Sequence, residues 1–165
     1  IHNCNRLAQS YGYDRLQFVQ GDIKNFTGAD QVDMVVTLHA CDTATDYAIE
    51  KAVGWGAKVI FTVPCCQHEV NGQIQNKLLR PVLKYGLLKE RLSAILTDAI
   101  RANLLEEAGY DTQVLEFIDM EHTPKNILIR AVRCQEKRED SGISELTAAL
   151  GVETTLQKLF RKDQE

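Results

Sequence analysis

"DMVVTLHACDTATD" (33–46) runs from an apolar stretch straight into a histidine, a cysteine and an aspartate within four positions. Residues 32–39 read as a strand that is apolar on both faces, the pattern of a central strand in a parallel sheet. A polar group at the carboxyl end of such a strand stands where open α/β sheets place their ligands. The next apolar run, "AKVIFTV" (57–63), ends the same way, in "PCCQHE" (64–69). Two reactive clusters at the ends of successive strands predict the floor of one site.

The surrounding chain supports an α/β fold. Between the two strands, Asp42, Thr43 and Thr45 are candidate caps for a helix over 44–56, which Gly54 and Gly56 close. Upstream, Ile1, Cys4, Leu7, Ala8 and Tyr11 form an amphipathic stripe, and "LQFVQGD" (16–22) reads as a strand ending in a Gly-Asp turn. The first turn has no cap, which suggests a helix cut from a longer chain. Downstream, residues 65–86 are amphipathic but broken by Gly72, Pro81 and Gly86, and are expected to form a short helix and loop over the strand ends. The clearest helix spans 87–110, with Leu88, Leu92, Ile95, Leu96, Ala99, Leu104 and Ala108 as its predicted buried stripe. Strands at 112–120 and 126–133 are joined by "EHTPK", too short for a parallel crossover, so they form an antiparallel hairpin. A charged linker (134–142) then leads to helices at 144–151 and 154–163, expected to be appended and frayed.

Bulk composition narrows the function. The 165 residues are 44% hydrophobic and 25% charged, ordinary for one globular domain. A net charge of −4 offers no broad cationic surface for a phosphate backbone. No apolar stretch approaches a bilayer span and no signal-peptide pattern opens the chain, so a cytoplasmic protein without membrane contact is expected. The five cysteines (4, 41, 65, 66, 134) are an odd number without disulfide-framework spacing, consistent with a reducing compartment.

"LHACDTATDYAI" followed by "VPCCQHE" resembles the LH-x-C-x-x-ATD…PCC signature of one methyltransferase-like family within the class I S-adenosylmethionine-dependent methyltransferases. Similar strings occur in eukaryotic glutathione S-transferase C-terminal domain-containing proteins and, more loosely, in a tRNA 2′-O-methyltransferase. The resemblance covers roughly residues 2–133. It implies a Rossmann-like methyltransferase sheet, mostly parallel, closed by a carboxyl-terminal antiparallel hairpin. In strand order 3-2-1-4-5-7-6, residues 16–22 would be the third strand, 32–39 the fourth and 57–63 the fifth. The first two strands and their glycine-rich turn would be lacking, since no G-x-G-x-G occurs in the chain. Residues 1–133 would then be a partial methyltransferase domain, and 134–165 the linker and short helices. Strands 3 and 4 of that order lie about 14 Å apart, so 16–22 is expected to close up beside 33–38 or to dock poorly. An unpaired fourth-strand edge invites self-association.

The resemblance also implies roles. The cofactor, S-adenosyl-L-methionine, would lie against Gly21, Asp22, Leu38 and His39, with the Asp22 carboxylate accepting from the adenine amine. The plain alternative for Gly21-Asp22 is turn chemistry. His39, Cys41, Cys65 and His68 are the catalytic candidates, with His39 as base or substrate-orienting group. Cys41 and Cys65 could alternatively be a nucleophile pair of the kind used by RNA cytosine-C5 methyltransferases, though the proline-cysteine motif here follows the fifth strand rather than the fourth. Asp42, Pro64, Cys66, Gln67 and Glu69 would face the acceptor; the plain reading of Asp42 is a cap on the following helix. The hairpin loop His122–Asn126 is either a substrate entrance or a turn. A metal site would join Cys65, Cys66 and His68 to His39 or Cys41, but no metal is expected, because adjacent cysteines diverge and C-x-x-C spacing is missing. The acceptor is RNA, protein or a small molecule, the tRNA enzyme favouring RNA. The rival reading is a non-catalytic methyltransferase-like binding module.

Overall fold

A computed structural model describes residues 1–116, 126–134 and 141–162. Its elements are α1 (His2–Ser10), β1 (Met34–Leu38), α2 (Thr43–Gly54), β2 (Val59–Val63), α3 (Glu69–Gln73), α4 (Arg80–Leu83), α5 (Gly86–Glu107), β3 (Tyr110–Glu116), β4 (Ile127–Arg133), α6 (Ile143–Leu150) and α7 (Thr155–Lys162). The strands form one sheet in the order β1-β2-β4-β3. β1 and β2 are parallel, with Met34 opposite Val59 and Leu38 opposite Val63. β4 runs antiparallel to both β2 and β3. The closing hairpin is therefore present, and the sheet is mixed: among the described strands β1, β2 and β3 run one way and β4, between β2 and β3, runs against them, the order expected for the fourth to seventh strands.

One face of the sheet carries the core. Val35 and Thr37 register with Ile60 and Thr62, which register with Ala131 and Ile129. Ile60, Thr62, Ile129 and Ala131 are fully buried, and Thr37 donates its hydroxyl to Thr62 at 2.8 Å. Burying an Ile of this kind contributes about 1.5–3 kcal/mol. The opposite face keeps Met34, Val36, Leu38 and Leu115 exposed. β1, expected to be buried on both sides, is thus an edge strand covered on one side.

Residues 16–22 do not form a strand. They run as exposed coil, with Leu16, Phe18 and Val19 open to solvent. A strand needs a neighbour to bond, and among the described residues the Asn5 side chain alone acts as one. Its Oδ1 accepts from the Phe18 N–H at 2.7 Å and its Nδ2 donates to the Phe18 carbonyl at 2.9 Å. The stripe predicted for α1 is also mostly unburied: of its five positions only Ala8 is enclosed.

The helix over 86–107 buries part of the predicted stripe, with Leu104 in the core and Leu96 and Ala108 packed against it, but its inward face is rotated toward polar positions. Ser93, Thr97, Asp98, Ile100, Arg101, Leu104 and Leu105 are buried, while Leu88 and Ile95 are exposed. Asp98 and Arg101 bond each other there and the Thr97 hydroxyl donates to the Ser93 carbonyl, while the Ser93 hydroxyl has no hydrogen-bond partner among the described residues. α6 and α7 are not appendages: Ile143, Leu150, Val152 and Leu156 belong to the main core cluster, and α7 packs on α2. No described helix is long and apolar enough to cross a membrane.

Candidate functional site

The loops after β1 and β2 meet at one rim because those strands are parallel and in register. Asp42 joins them. Its N–H donates to the Cys66 carbonyl at 2.9 Å, and its Oδ1 accepts from the N–H groups of His68 and Glu69 at 3.0 and 3.3 Å. The Asp42 side chain therefore caps α3, not the following α2 as its position in the chain suggests. Loss of that carboxylate in Asp42→Ala should cost about 1 kcal/mol, within the 0.5–2 typical of cap removal, and loosen 64–69. Urea denaturation of Asp42→Ala beside Asp42→Asn, which keeps an acceptor oxygen, measures this.

The backbone bracketing Cys41 is strained. His39 has φ +60° and Asp42 φ +52°, a left-handed region that costs a non-glycine residue about 1–3 kcal/mol. The turn brings the Cys41 sulfur 3.2 Å from that of Cys65, and the sulfurs of Cys41, Cys65 and Cys66 all lie within 4.8 Å of one another. The expectation that Cys65 and Cys66 diverge is corrected here. The loop leaves the sheet immediately after Val63, and this turn lets both side chains face Cys41. Hydrogen bonding to Cys41, then burial, pushes the Cys65 thiol up to about 11. That is the reverse of the shift an attacking cysteine needs.

Behind the rim lies a buried ionic network that the sequence reading did not single out. Arg101 donates from Nε to Asp46 at 2.7 Å, from one terminal nitrogen to Asp98 at 3.3 Å, and from the other to the Asp42 carbonyl at 2.9 Å. Gln67 donates to both Asp98 oxygens at 3.1 and 3.0 Å. Burial pushes the Asp46 carboxyl up to about 6, against the pull of Arg101. The available signal was the spacing of Ser93, Thr97 and Arg101, which puts polar groups on the same helix face as Ile100, Leu104 and Leu105.

The remaining candidates sort by surroundings. Leu38, His39 and His68 are exposed at the rim, and Pro64 is buried beneath it. Pro64 and Gln67 also line a cavity of about 420 Å³, together with Ile95, Asp98, Glu116 and Asn126. Glu69 faces away: its two oxygens accept from the Thr155 N–H at 2.9 Å and hydroxyl at 2.8 Å, fastening α7. Gly21 and Asp22 are exposed, and Asp22 accepts from the Lys24 N–H at 3.0 Å to cap a short 3-10 turn. No hydrogen bond among the described residues ties them to the two loops. His122 to Lys125 lie outside the described residues.

Comparison with known proteins fits this layout. A family profile described as a methyltransferase domain matches residues 1–73, which contain β1, β2 and both loops. The glutathione S-transferase C-terminal domain-containing proteins of Homo sapiens and Macaca fascicularis are each 29% identical to the chain over 158 aligned positions. That of Mus musculus is 30% identical over the same length. These alignments cover 78% of this chain but 24% of the relatives, so the chain spans about a quarter of their length. No solved structure matches. The match supports a methyltransferase-like domain on a four-stranded mixed α/β sheet.

Proposed function

We propose that the chain is part of the catalytic domain of an S-adenosyl-L-methionine-dependent methyltransferase, with the rim formed by 38–42 and 64–69 as the methyl-transfer side of its pocket. The observation that carries this reading is the convergence of the two motif loops at the carboxyl ends of a parallel strand pair, bridged by Asp42. The strained backbone at His39 and Asp42 supports it, because such strain persists where a site requires it. Leu38 and His39 would meet the cofactor and His39 would orient the acceptor. Gln67 and the adjoining cavity would receive it. Methyl transfer is an in-line displacement, so positioning supplies most of the catalysis and a base acts only on a protonated acceptor.

The cofactor's methionine end needs a glycine-rich turn that 1–165 does not contain. In this reading the first two strands and that turn lie outside 1–165 and would cover the open edge of β1. Left uncovered, the same edge would pair two copies of the chain. RNA is the favoured acceptor class; with a net charge of −4, phosphate contacts would be few and the salt dependence of binding shallow.

Titration calorimetry of 1–165 with S-adenosyl-L-methionine should detect weak binding or none, and micromolar binding would overturn the division of the pocket. A longer protein carrying this sequence behind a glycine-rich strand-turn should bind the cofactor and move labelled methyl to an RNA or protein pool. His39→Ala should reduce that transfer at least tenfold. Binding without transfer to any pool would favour the non-catalytic module.

A further inference from the structure

We infer that Cys41, Cys65 and Cys66 form a three-sulfur site for a zinc ion that clamps together the loops after β1 and β2. The three sulfurs lie within 4.8 Å of one another, and the Cys41–Cys65 pair stands at 3.2 Å. Zinc held tetrahedrally at about 2.3 Å from each thiolate sets its sulfurs about 3.8 Å apart, between those two values. The sulfur separations therefore differ from those of a zinc site by about 1 Å or less.

The backbone is already fixed for it. Asp42 bonds the Cys66 carbonyl and the N–H groups at 68 and 69, so the loop bearing Cys41 and the loop bearing Cys65 and Cys66 are tied together beside the sulfurs. Cys41 is exposed and the other two are half-buried, leaving a path for the ion to enter. Three sulfurs without an oxygen ligand select a thiophilic ion over magnesium or calcium. Neither His39 nor His68 joins the group, so the fourth position stays open to water or another donor. Each thiol that ligates releases its proton to solvent, leaving three thiolates around the divalent ion. The inference is independent of the methyltransferase reading, since a clamp of these loops is required by neither cofactor nor acceptor.

The chain, stripped of metal by a chelator and kept in a phosphine reductant, can be titrated with cobalt(II) as a spectroscopic stand-in and then with zinc. Expected are one equivalent of binding with a thiolate-to-cobalt charge-transfer band, displacement of cobalt by zinc, and a higher melting temperature with zinc. Cys41→Ser, Cys65→Ser and Cys66→Ser should each weaken binding at least tenfold, while Cys4→Ser and Cys134→Ser leave it unchanged. Should a serine variant misfold, alkylation mapped by mass spectrometry on the unsubstituted chain decides: zinc should shield 41, 65 and 66 but not 4 or 134. Absence of the band, equal loss in the Cys4 and Cys134 variants, or uniform shielding of all five cysteines would overturn the site.

Discussion

Arg101→Leu is expected to cost about 3–5 kcal/mol at neutral pH, the largest effect of any single substitution near the rim. Arg101, Asp46 and Asp98 are 1%, 2% and 4% exposed, so none can turn to water when its partner is lost. Leucine fills much of the volume but takes the guanidinium away from two buried carboxylates, and it frees the Asp42 carbonyl that Arg101 holds. Breaking such a group from one side costs far more than the assembled group contributes. Arg101→Lys keeps the charge without the planar fork and should lose less. The pH dependence carries a definite sign. Burial already holds Asp46 at about 6, above its unfolded value near 3.9. The native state therefore binds more protons than the unfolded state between those values, and this group's contribution, fully present below about 4, is lost as pH rises through 6. Removing Arg101 raises the carboxyl further. The cost of Arg101→Leu should then be smaller at pH 5.5 than at pH 7.5, and urea denaturation at both values reads the difference. An equal cost at the two would mean that the carboxylates are not what the arginine stabilises.

This network also marks where the sequence stops being legible. β1, β2, α2 and the hairpin follow from apolar runs and turn residues, and the meeting of the two loops follows from a parallel pair. The inward face of α5 follows only in part: Leu96, Leu104 and Ala108 of the predicted stripe meet the core. Periodicity weights Leu88 and Ile95, which are exposed, and treats Arg101 and Asp98 as solvated. Bonding to distant partners makes their burial tolerable: Arg101 depends on Asp46, 55 positions away, and Asp98 on Gln67. Asp42 is a similar case. A cap is read from the residues that follow it, yet the N–H groups that Asp42 satisfies lie 26 and 27 positions on. The segment 16–22 fails for the opposite reason. Its composition is that of a strand, but a strand is a pairing, and no described neighbour offers it a ladder. The pairing of positions 41 and 65 follows from the two strand ends, but cysteine spacing argues against Cys66 joining them, because it takes no account of the turn after Val63.

Ending the chain at Cys134 is expected to abolish cooperative folding. The removed segment supplies Ile143, Leu150, Val152 and Leu156 to the core, each no more than 6% exposed. At about 1.5–3 kcal/mol for each side chain, the loss is about 6–12 kcal/mol, comparable to the whole stability of a domain this size. Polar ties go as well. Gln73 exchanges bonds with the Glu153 backbone at 3.0 and 2.8 Å, Asn76 donates to the Ala149 carbonyl at 2.9 Å, and Glu69 loses Thr155. These partners hold α3 and the segment after it, and α3 is the element that Asp42 caps from the rim. The carboxyl-terminal helices therefore act on the site through the placement of 64–69. Near-ultraviolet circular dichroism and urea denaturation of the shortened chain test this, with Leu156→Ala as a milder form expected to cost about 2–5 kcal/mol. A shortened chain that melted with the cooperativity and midpoint of the full one would show that α6 and α7 contribute nothing to the fold that carries the two loops.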